Sequence, residues 1–294
     1  MKINIGTYSL GGGFPGSTGG PTLLEKLKTI KELGYDGVEF LANDMNNSVE
    51  DLKAWLEEAG LEVAGLHAAI NLIEENIPKI AALGGNNIVC PNYRFNCKEE
   101  AIELAKELER LGKIAEPYGI KIGYHNHSQE FWFDGESTLE EYILNNSDPK
   151  YVYMQLDCGW AQNGGCYPPT FIRKYKNRFL GIHVKENCKI TGPGGKPAGH
   201  SEPNPMEEQM KKMATMSEEE KAEFFKQMQA RRANQPLLQC KMGAPESNIN
   251  WKEIKAALDE QDFEAFWVVE REGFYDEHDK CIAEDCAWLH ENIK

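Results

Sequence analysis

Positive charge is scarce in this sequence. Across 294 residues, 32 Lys and Arg stand against 47 Asp and Glu, a formal net charge of −15. A nucleic-acid binder gains affinity by neutralising phosphates with Lys and Arg. With this balance, and without a basic stripe interleaved with aromatics, no nucleic-acid partner is expected. No apolar run approaches the roughly 18 residues of a membrane span, so no membrane partner is expected either. The N-terminus, Met1-Lys2-Ile3-Asn4-Ile5, lacks a signal-peptide core and reads as a strand. The eight cysteines show no C-x-x-C pairing, which argues for reduced thiols and a cytoplasmic setting over a disulfide scaffold. The Gly-rich stretch from Leu10 to Gly20 has no Walker-type lysine, and its glycines read as flexibility.

What is present is a repeating unit. Ile3 to Tyr8 is a first strand. Thr22, with Glu25 three residues on, caps a helix whose Leu23, Leu24, Leu27, Ile30 and Leu33 share a face before Gly34 stops it. Gly37 to Leu41 is a second strand. Ser48 caps a helix from Val49 to Ala59, and Glu62 to His67 is a third strand. A helix from Leu72 leads to the strand Asn87 to Cys90, and a long helix, Lys98 to Tyr118, to the strand Lys121 to His125. Helix Leu139 to Leu144 precedes strand Val152 to Leu156, and Phe171 to Tyr175 precedes Phe179 to His183. Trp251 to Leu258 precedes Phe266 to Glu270, and a helix from Lys280 to Asn292 closes the series. Strand–helix alternation requires parallel strands with crossovers. Eight such units predict an α/β fold, a single closed (β/α)₈ barrel domain over 1–294, with a doubly wound open sheet as the competing fold.

One interval breaks the period. Asn187 to Asn248 separates the seventh strand from its helix by roughly 60 residues, far beyond a usual connection. It contains Gly192-Pro193-Gly194-Gly195, then a charged helix-prone run from Met206 to Ala233, then Pro236 to Pro245. Met206, Met210, Met213, Met216, Phe224, Phe225 and Met228 offer adaptable apolar faces. It reads either as an excursion packed over the barrel mouth or as a lid or docking surface for another chain.

In such a barrel the active site lies where the strands end. The stretch Gly123-Tyr124-His125-Asn126-His127-Ser128-Gln129-Glu130-Phe131 packs imidazoles, amides and a carboxylate together. Three later strands end on Asp157, His183 and Glu270, and Tyr8 and His67 end earlier ones. Of seven histidines, four lie at or just beyond strand ends. Carboxylates combined with imidazoles suit a divalent metal, with Mn²⁺ placed first and Co²⁺, Mg²⁺, Fe²⁺ or Zn²⁺ after it. Such a metal polarises a carbonyl and stabilises an enediolate, while a neighbouring base moves a proton off carbon.

These motifs carry a resemblance. Gly34-Tyr35-Asp36-Gly37-Val38-Glu39, Tyr124-His125-Asn126-His127 with Glu130-Phe131, Leu156-Asp157-Cys158-Gly159-Trp160-Ala161, His183-Val184-Lys185-Glu186 and Val269-Glu270 resemble the xylose-isomerase-like TIM-barrel superfamily, which includes sugar phosphate isomerases/epimerases and endonuclease-IV-type enzymes. The resemblance covers the chain apart from the insertion. It implies metal ligands at Asp157, His183 and Glu270. Glu130 is expected to supply the remaining carboxylate, with His125 as the lesser candidate. His127 matches a position that serves as a base in some relatives, with Glu270 as the other candidate. Epimerases of the family place a His where this chain has Trp160, and a Trp there can stack on a sugar ring. Lys185 is a candidate for catalysis at a carbonyl or carboxylate. Tyr8, His67, His125, Trp160 and Arg271 are candidates for substrate binding; Glu39 and His67 read equally as substrate contacts or as buried hydrogen-bonding groups at the barrel rim, and Arg271 and Glu272 as partners supporting the ligands. His200, His278 and His290 read as structural or surface.

The resemblance implies an isomerase or epimerase acting on a sugar or keto-sugar by enolisation. A lyase of the same family is the alternative, either inosose-dehydratase-like or cleaving 3-keto-glycosides, including C-glycosides, with a small partner subunit. A homo-oligomer is expected, and the insertion leaves room for such a second small subunit. An AP endonuclease and a non-catalytic sugar-binding barrel are the remaining classes. The acidic balance argues against the first and the ligand set against the second.

Overall fold

The computed structural model describes residues 1–10, 21–200, 202, 211–217, 219–221, 223, 224, 227 and 239–294. The Gly-rich stretch 11–20 and most of 203–238, including Met206, Met210, Phe225 and Met228, lie outside the described residues.

Eight parallel strands close into a barrel. They are β1 (Ile3–Gly6), β2 (Gly37–Leu41), β3 (Glu62–His67), β4 (Asn87–Cys90), β5 (Lys121–His125), β6 (Val152–Asp157), β7 (Phe179–Val184) and β8 (Phe266–Val269). They pair in sequence order, and β8 returns to β1 with Ile3 opposite Trp267 and Ile5 opposite Val269. The fold is thus the (β/α)₈ barrel that strand–helix alternation predicts, not an open sheet. A strand covered on both faces must be apolar nearly throughout. Strand β7, Phe-Leu-Gly-Ile-His-Val, is buried at every position, so its His183 lies inside the molecule.

The flanking helices include α1 (Leu23–Glu32), α2 (Val49–Ala59), α3 (Ile70–Ala82), α4 (Lys98–Ala115), α5 (Leu139–Asn145), α6 (Cys158–Asn163), α7 (Pro168–Lys174), α8 (Trp251–Asp259) and α9 (His278–Asn292). The Thr22–Glu25 capping box that starts α1 is present in full, as is one between Thr138 and Glu141 on α5. Helix α4 ends at Ala115, earlier than the apolar spacing suggests. A 3₁₀ turn from Glu116 to Tyr118, with Pro117 inside it, takes the chain to Gly119, where φ is 70°. Helix α6 has no counterpart in the sequence reading. It is too short to show a 3.6-residue period, and it begins directly at the end of β6.

The described parts of the insertion return to the carboxyl-terminal mouth. Asn248 N–H donates to Asn187 O at 3.0 Å, which joins the two ends of the excursion. Gln239 accepts from the N–H groups of Glu272 and Gly273, each at 2.7 Å, and donates to Glu270 O at 3.0 Å. The insertion thereby anchors the chain leaving β8.

Candidate active site at the carboxyl-terminal mouth

Side chains on a strand alternate faces, so ligand-type residues at consecutive strand ends point into one space only in the right register. Asp157 pairs with His183 across β6 and β7, and Val268 pairs with His183 across β8 and β7. His125, Asp157, His183 and Glu270 each offer a ligand atom, and these atoms all lie within 4.8 Å of one another. His67, His125 and His183 form a second, overlapping group. The rings of His67 and His183 stack at 4.9 Å, and His125 meets His183 edge-on at 4.6 Å.

The hydrogen bonds assign the protons. Both nitrogens of His183 face carboxylates, with Nδ1 2.5 Å from Glu270 Oε2 and Nε2 2.8 Å from Glu39 Oε2. Burial alone would lower its pKa, but Glu39 and Glu270 outweigh it and hold the imidazolium to about 10. Gln155 Oε1, which can only accept, lies 3.3 Å from His125 Nδ1 and 2.6 Å from His67 Nε2. Those nitrogens therefore carry hydrogen, and His125 keeps its Nε2 lone pair. Burial, with the His183 charge beside it, holds His125 well below the usual histidine range.

The carboxylates divide. Burial would raise Glu270, but Lys185 and His183 outweigh it and hold its pKa well below the ordinary range. Lys185 Nζ sits 2.7 Å from Glu270 and 2.5 Å from Glu272, with its ammonium 4.8 Å from the centre of the Trp160 ring. Asp157 caps α6, its Oδ1 accepting from Trp160 N–H at 2.7 Å. Helix α6 can begin there because Gly159 has no side chain; a Cβ would stand 2.5 Å from Lys185 O, just past β7. The other oxygen, Asp157 Oδ2, is buried without a hydrogen-bond partner among the described residues. Burial pushes this carboxyl up to about 7, against the pull of Lys185.

Two observations fit this donor set to a divalent cation. An orphaned buried carboxylate oxygen is rare unless something else satisfies it. Two imidazoles and two carboxylates converging within 4.8 Å are also the donor types such a cation takes.

Two expectations are corrected. The position expected for Glu130 goes to His125. Glu130 is buried beneath the loop instead, where it accepts from His127 N–H at 2.7 Å and Tyr124 O–H at 3.0 Å. It sits on a 3₁₀ turn, Gln129–Phe131, and this turn carries its carboxylate back toward the loop it follows. Arg271 is not directed at the mouth. Its guanidinium is buried in a bidentate pair with Asp285 at 2.6 and 2.8 Å and also donates to Gly273 O and Cys240 O. One residue beyond Glu270, it takes the opposite face of the chain.

The other candidates are placed as follows. His127 is half-buried, its ring 5.2 Å from His125 and 5.8 Å from Trp160. Tyr8 stands exposed on the turn after β1. His67 lies beneath the ligand group. Gln155 was missed, and its signal was available: it lies two residues before Asp157 on one strand and so shares its face. Glu39 has a similar central place, with hydrogen bonds to His183 and Gln155.

A closed (β/α)₈ barrel gathering two histidines and two carboxylates at its carboxyl-terminal mouth defines the class. The chain belongs to the xylose isomerase-like TIM-barrel family, whose signature matches residues 27–292. It is 36% identical over 91 residues to an inosose dehydratase of Clostridium tetani, covering 30% of this chain and 29% of that protein. It is 26% identical over 179 residues to an inosose dehydratase of Bacillus velezensis, covering 60% and 57%. The chain thus spans less than two thirds of the length of these relatives. Among solved structures it resembles a sugar phosphate isomerase/epimerase from Parabacteroides distasonis, with TM-score 0.68, 19% identity and coverage of 99% and 94%. It also resembles a 3-keto-D-glucoside 4-epimerase from E. coli, with TM-score 0.63, 16% identity and coverage of 99% and 99%. At these identities the structural likeness shows the fold.

Proposed function

We propose that this chain is a divalent-metal-dependent enzyme that removes a proton alpha to the carbonyl of a sugar or cyclitol, as an isomerase or epimerase. The observation that carries the reading is the convergence of His125, Asp157, His183 and Glu270, with Asp157 Oδ2 left without any other partner. These four residues would hold the cation, and we place Mn²⁺ first for this mixed oxygen and nitrogen set. When bound, such a cation supplies Lewis-acid polarisation of a carbonyl and stabilises negative charge on its oxygen.

The chain's own residues divide the remaining work. His127 takes the proton, because its ring nitrogens have no hydrogen-bond partner among the described residues. Glu270 is the poorer base, since His183 and Lys185 engage its two oxygens. Lys185 orients Glu270 and keeps positive charge beside the reacting carbonyl. Trp160 offers a ring face to the substrate, and its buried Nε1 has no acceptor. Tyr8 and His67 are secondary substrate contacts.

A lyase of the same family is the second reading, favoured by the inosose dehydratase names of the curated relatives. Both readings begin with the same proton removal and differ in whether a β-substituent then leaves. We further propose that the insertion closes over the mouth or seats a second small subunit, and that the chain forms homo-oligomers. The net charge of −15 supports a small neutral substrate over nucleic acid.

The test is NMR of metal-loaded protein with ketoses, inososes and 3-keto-glycosides in deuterated water. Deuterium at the carbon beside the carbonyl is the expected outcome, and the product then separates isomerase from lyase. Protein that binds metal yet exchanges no alpha proton in any of these ketones would defeat the reading.

A further inference from the structure

Glu39 lies on β2, away from the strands that supply the four ligands, yet it touches His183 directly and is linked to His125 through Gln155. Its side chain is buried, with 2% exposed. Oε2 accepts from His183 Nε2 at 2.8 Å, with His67 Nε2 3.2 Å away. Oε1 accepts from Gln155 Nε2 at 2.5 Å. Because Glu39 can only accept, this contact fixes the Gln155 amide with its nitrogen toward Glu39 and its oxygen toward the histidines. That oxygen then accepts from His125 Nδ1 at 3.3 Å.

We propose that Glu39 is a positioning residue that sets the tautomer of both histidine ligands. It acts on His183 directly and on His125 through Gln155. The hydrogen is kept on His183 Nε2 and His125 Nδ1, so that a cation displacing the second proton of His183 would find His183 Nδ1, beside Glu270, and His125 Nε2 as the free lone pairs. A histidine ligand whose other nitrogen donates to a carboxylate is held in orientation and made more basic, and removing that partner typically weakens metal binding by about 10- to 100-fold. One buried carboxylate serving two ligands this way explains why β2 carries Glu39 though it is not among the four ligands. The inference rests on the cation site of the proposed function.

The test uses the full chain and Co²⁺ as probe. Affinity is measured by calorimetry and ligand-field geometry by the visible absorption of the bound ion, with circular dichroism as the check of folding. Glu39→Gln has one carbonyl oxygen, so it cannot accept from both His183 and Gln155. It is expected to bind Co²⁺ about 10- to 100-fold more weakly with an altered absorption band, and Glu39→Asp to recover part of both. A merely structural role would lower the melting temperature but leave the folded protein's affinity and band as in the wild type, and that result overturns the proposal. Should Glu39→Gln not fold, Gln155→Leu carries the same readouts. It severs the arm to His125, along with a contact to His67, and leaves the Glu39–His183 bond, so a smaller loss with a shifted band is expected, and an unchanged affinity and band sinks the idea. Wild-type protein that takes up no Co²⁺ instead removes the cation site itself, a failure distinct from an unaffected Glu39 variant.

Discussion

At the carboxyl-terminal mouth, Lys185 and Glu270 pair with 5% and 11% of their side chains exposed, whereas at the opposite end Lys2 and Glu62 pair with 52% and 64% exposed. Two cavities lie at the opposite end. A cavity of about 400 Å³ there is bordered by Met1, Lys255, Phe263, Glu264 and Trp267. A second, of about 300 Å³, is bordered by Lys2, Asn86, Lys121 and Phe266. A solvated pair contributes little and constrains little, while buried charges persist only where each is satisfied or something else completes them. The mouth is where that condition holds for several charges at once and fails for one atom, Asp157 Oδ2.

The sharpest way to break this contrast is to alter one charge at each end. Asp157→Ala is expected to abolish stoichiometric divalent-metal binding and to lower turnover by more than about 10³-fold, since it removes one of the four proposed ligands. Lys2→Ala is expected to leave both unchanged. Calorimetric titration of metal into the two variants decides the matter, and equal metal affinity in both would mean that the mouth is no ligand site. Next in size is His127→Asn, which keeps a polar side chain but removes the imidazole proposed as the base. We expect kcat to fall by about 10²- to 10⁴-fold with metal affinity unchanged. Retained solvent exchange of the substrate's alpha proton in this variant would move the base elsewhere.

The fold was legible because apolar runs and caps recur at a steady period. All eight strands lie within a residue or two of where that pattern places them, and the Thr22 cap works as its spacing implies. The convergence of Asp157, His183 and Glu270 was legible as a set of strand ends, since each is the polar residue that closes an apolar run. What stayed hidden depends on direction. Whether His125 or Glu130 faces the barrel axis turns on a single 3₁₀ turn after β5, and linear spacing does not report such a turn. Arg271 failed for a related reason. A charged residue adjacent to a ligand points away from it on an extended chain, and Asp285, its partner in α9, is remote in sequence. Gln155 was overlooked because an amide in the middle of a strand draws no notice without the partners the barrel brings to it.

Glu130→Gln tests that correction and has a smaller expected effect. As a ligand, Glu130 would take metal affinity with it. As the acceptor for His127 N–H and Tyr124 O–H, it sets only the height and aim of the loop carrying the base. The amide still offers one acceptor oxygen, so we expect kcat to fall by about tenfold, within the range of a misplaced catalytic group, with metal affinity unchanged. A large loss of affinity with turnover preserved at saturating metal would restore Glu130 to the ligand set.

Glu140 probes the contrast from a third side, as a buried carboxyl that belongs to no converging group. It lies in the first turn of α5, fully buried, with neither oxygen hydrogen-bonded. Burial, with Glu130 nearby, pushes its pKa well above the ordinary 4.5, so it is held protonated in the folded chain. A carboxyl whose pKa is raised by folding binds its proton more tightly when folded. Its cost is therefore absent at acid pH and grows as pH rises above about 4.5, where the unfolded chain gives the proton up. Glu140→Gln removes the titrating proton while keeping size and polarity. The variant is expected to melt about 2–4 °C higher near neutral pH, what roughly 1 kcal/mol is worth in a chain of this size, with the gap closing toward pH 4. Turnover should not change. Scanning calorimetry across that pH range measures it, and a gap that stays constant with pH would show that Glu140 is already ionised in the fold, with the nearby Arg178 outweighing burial.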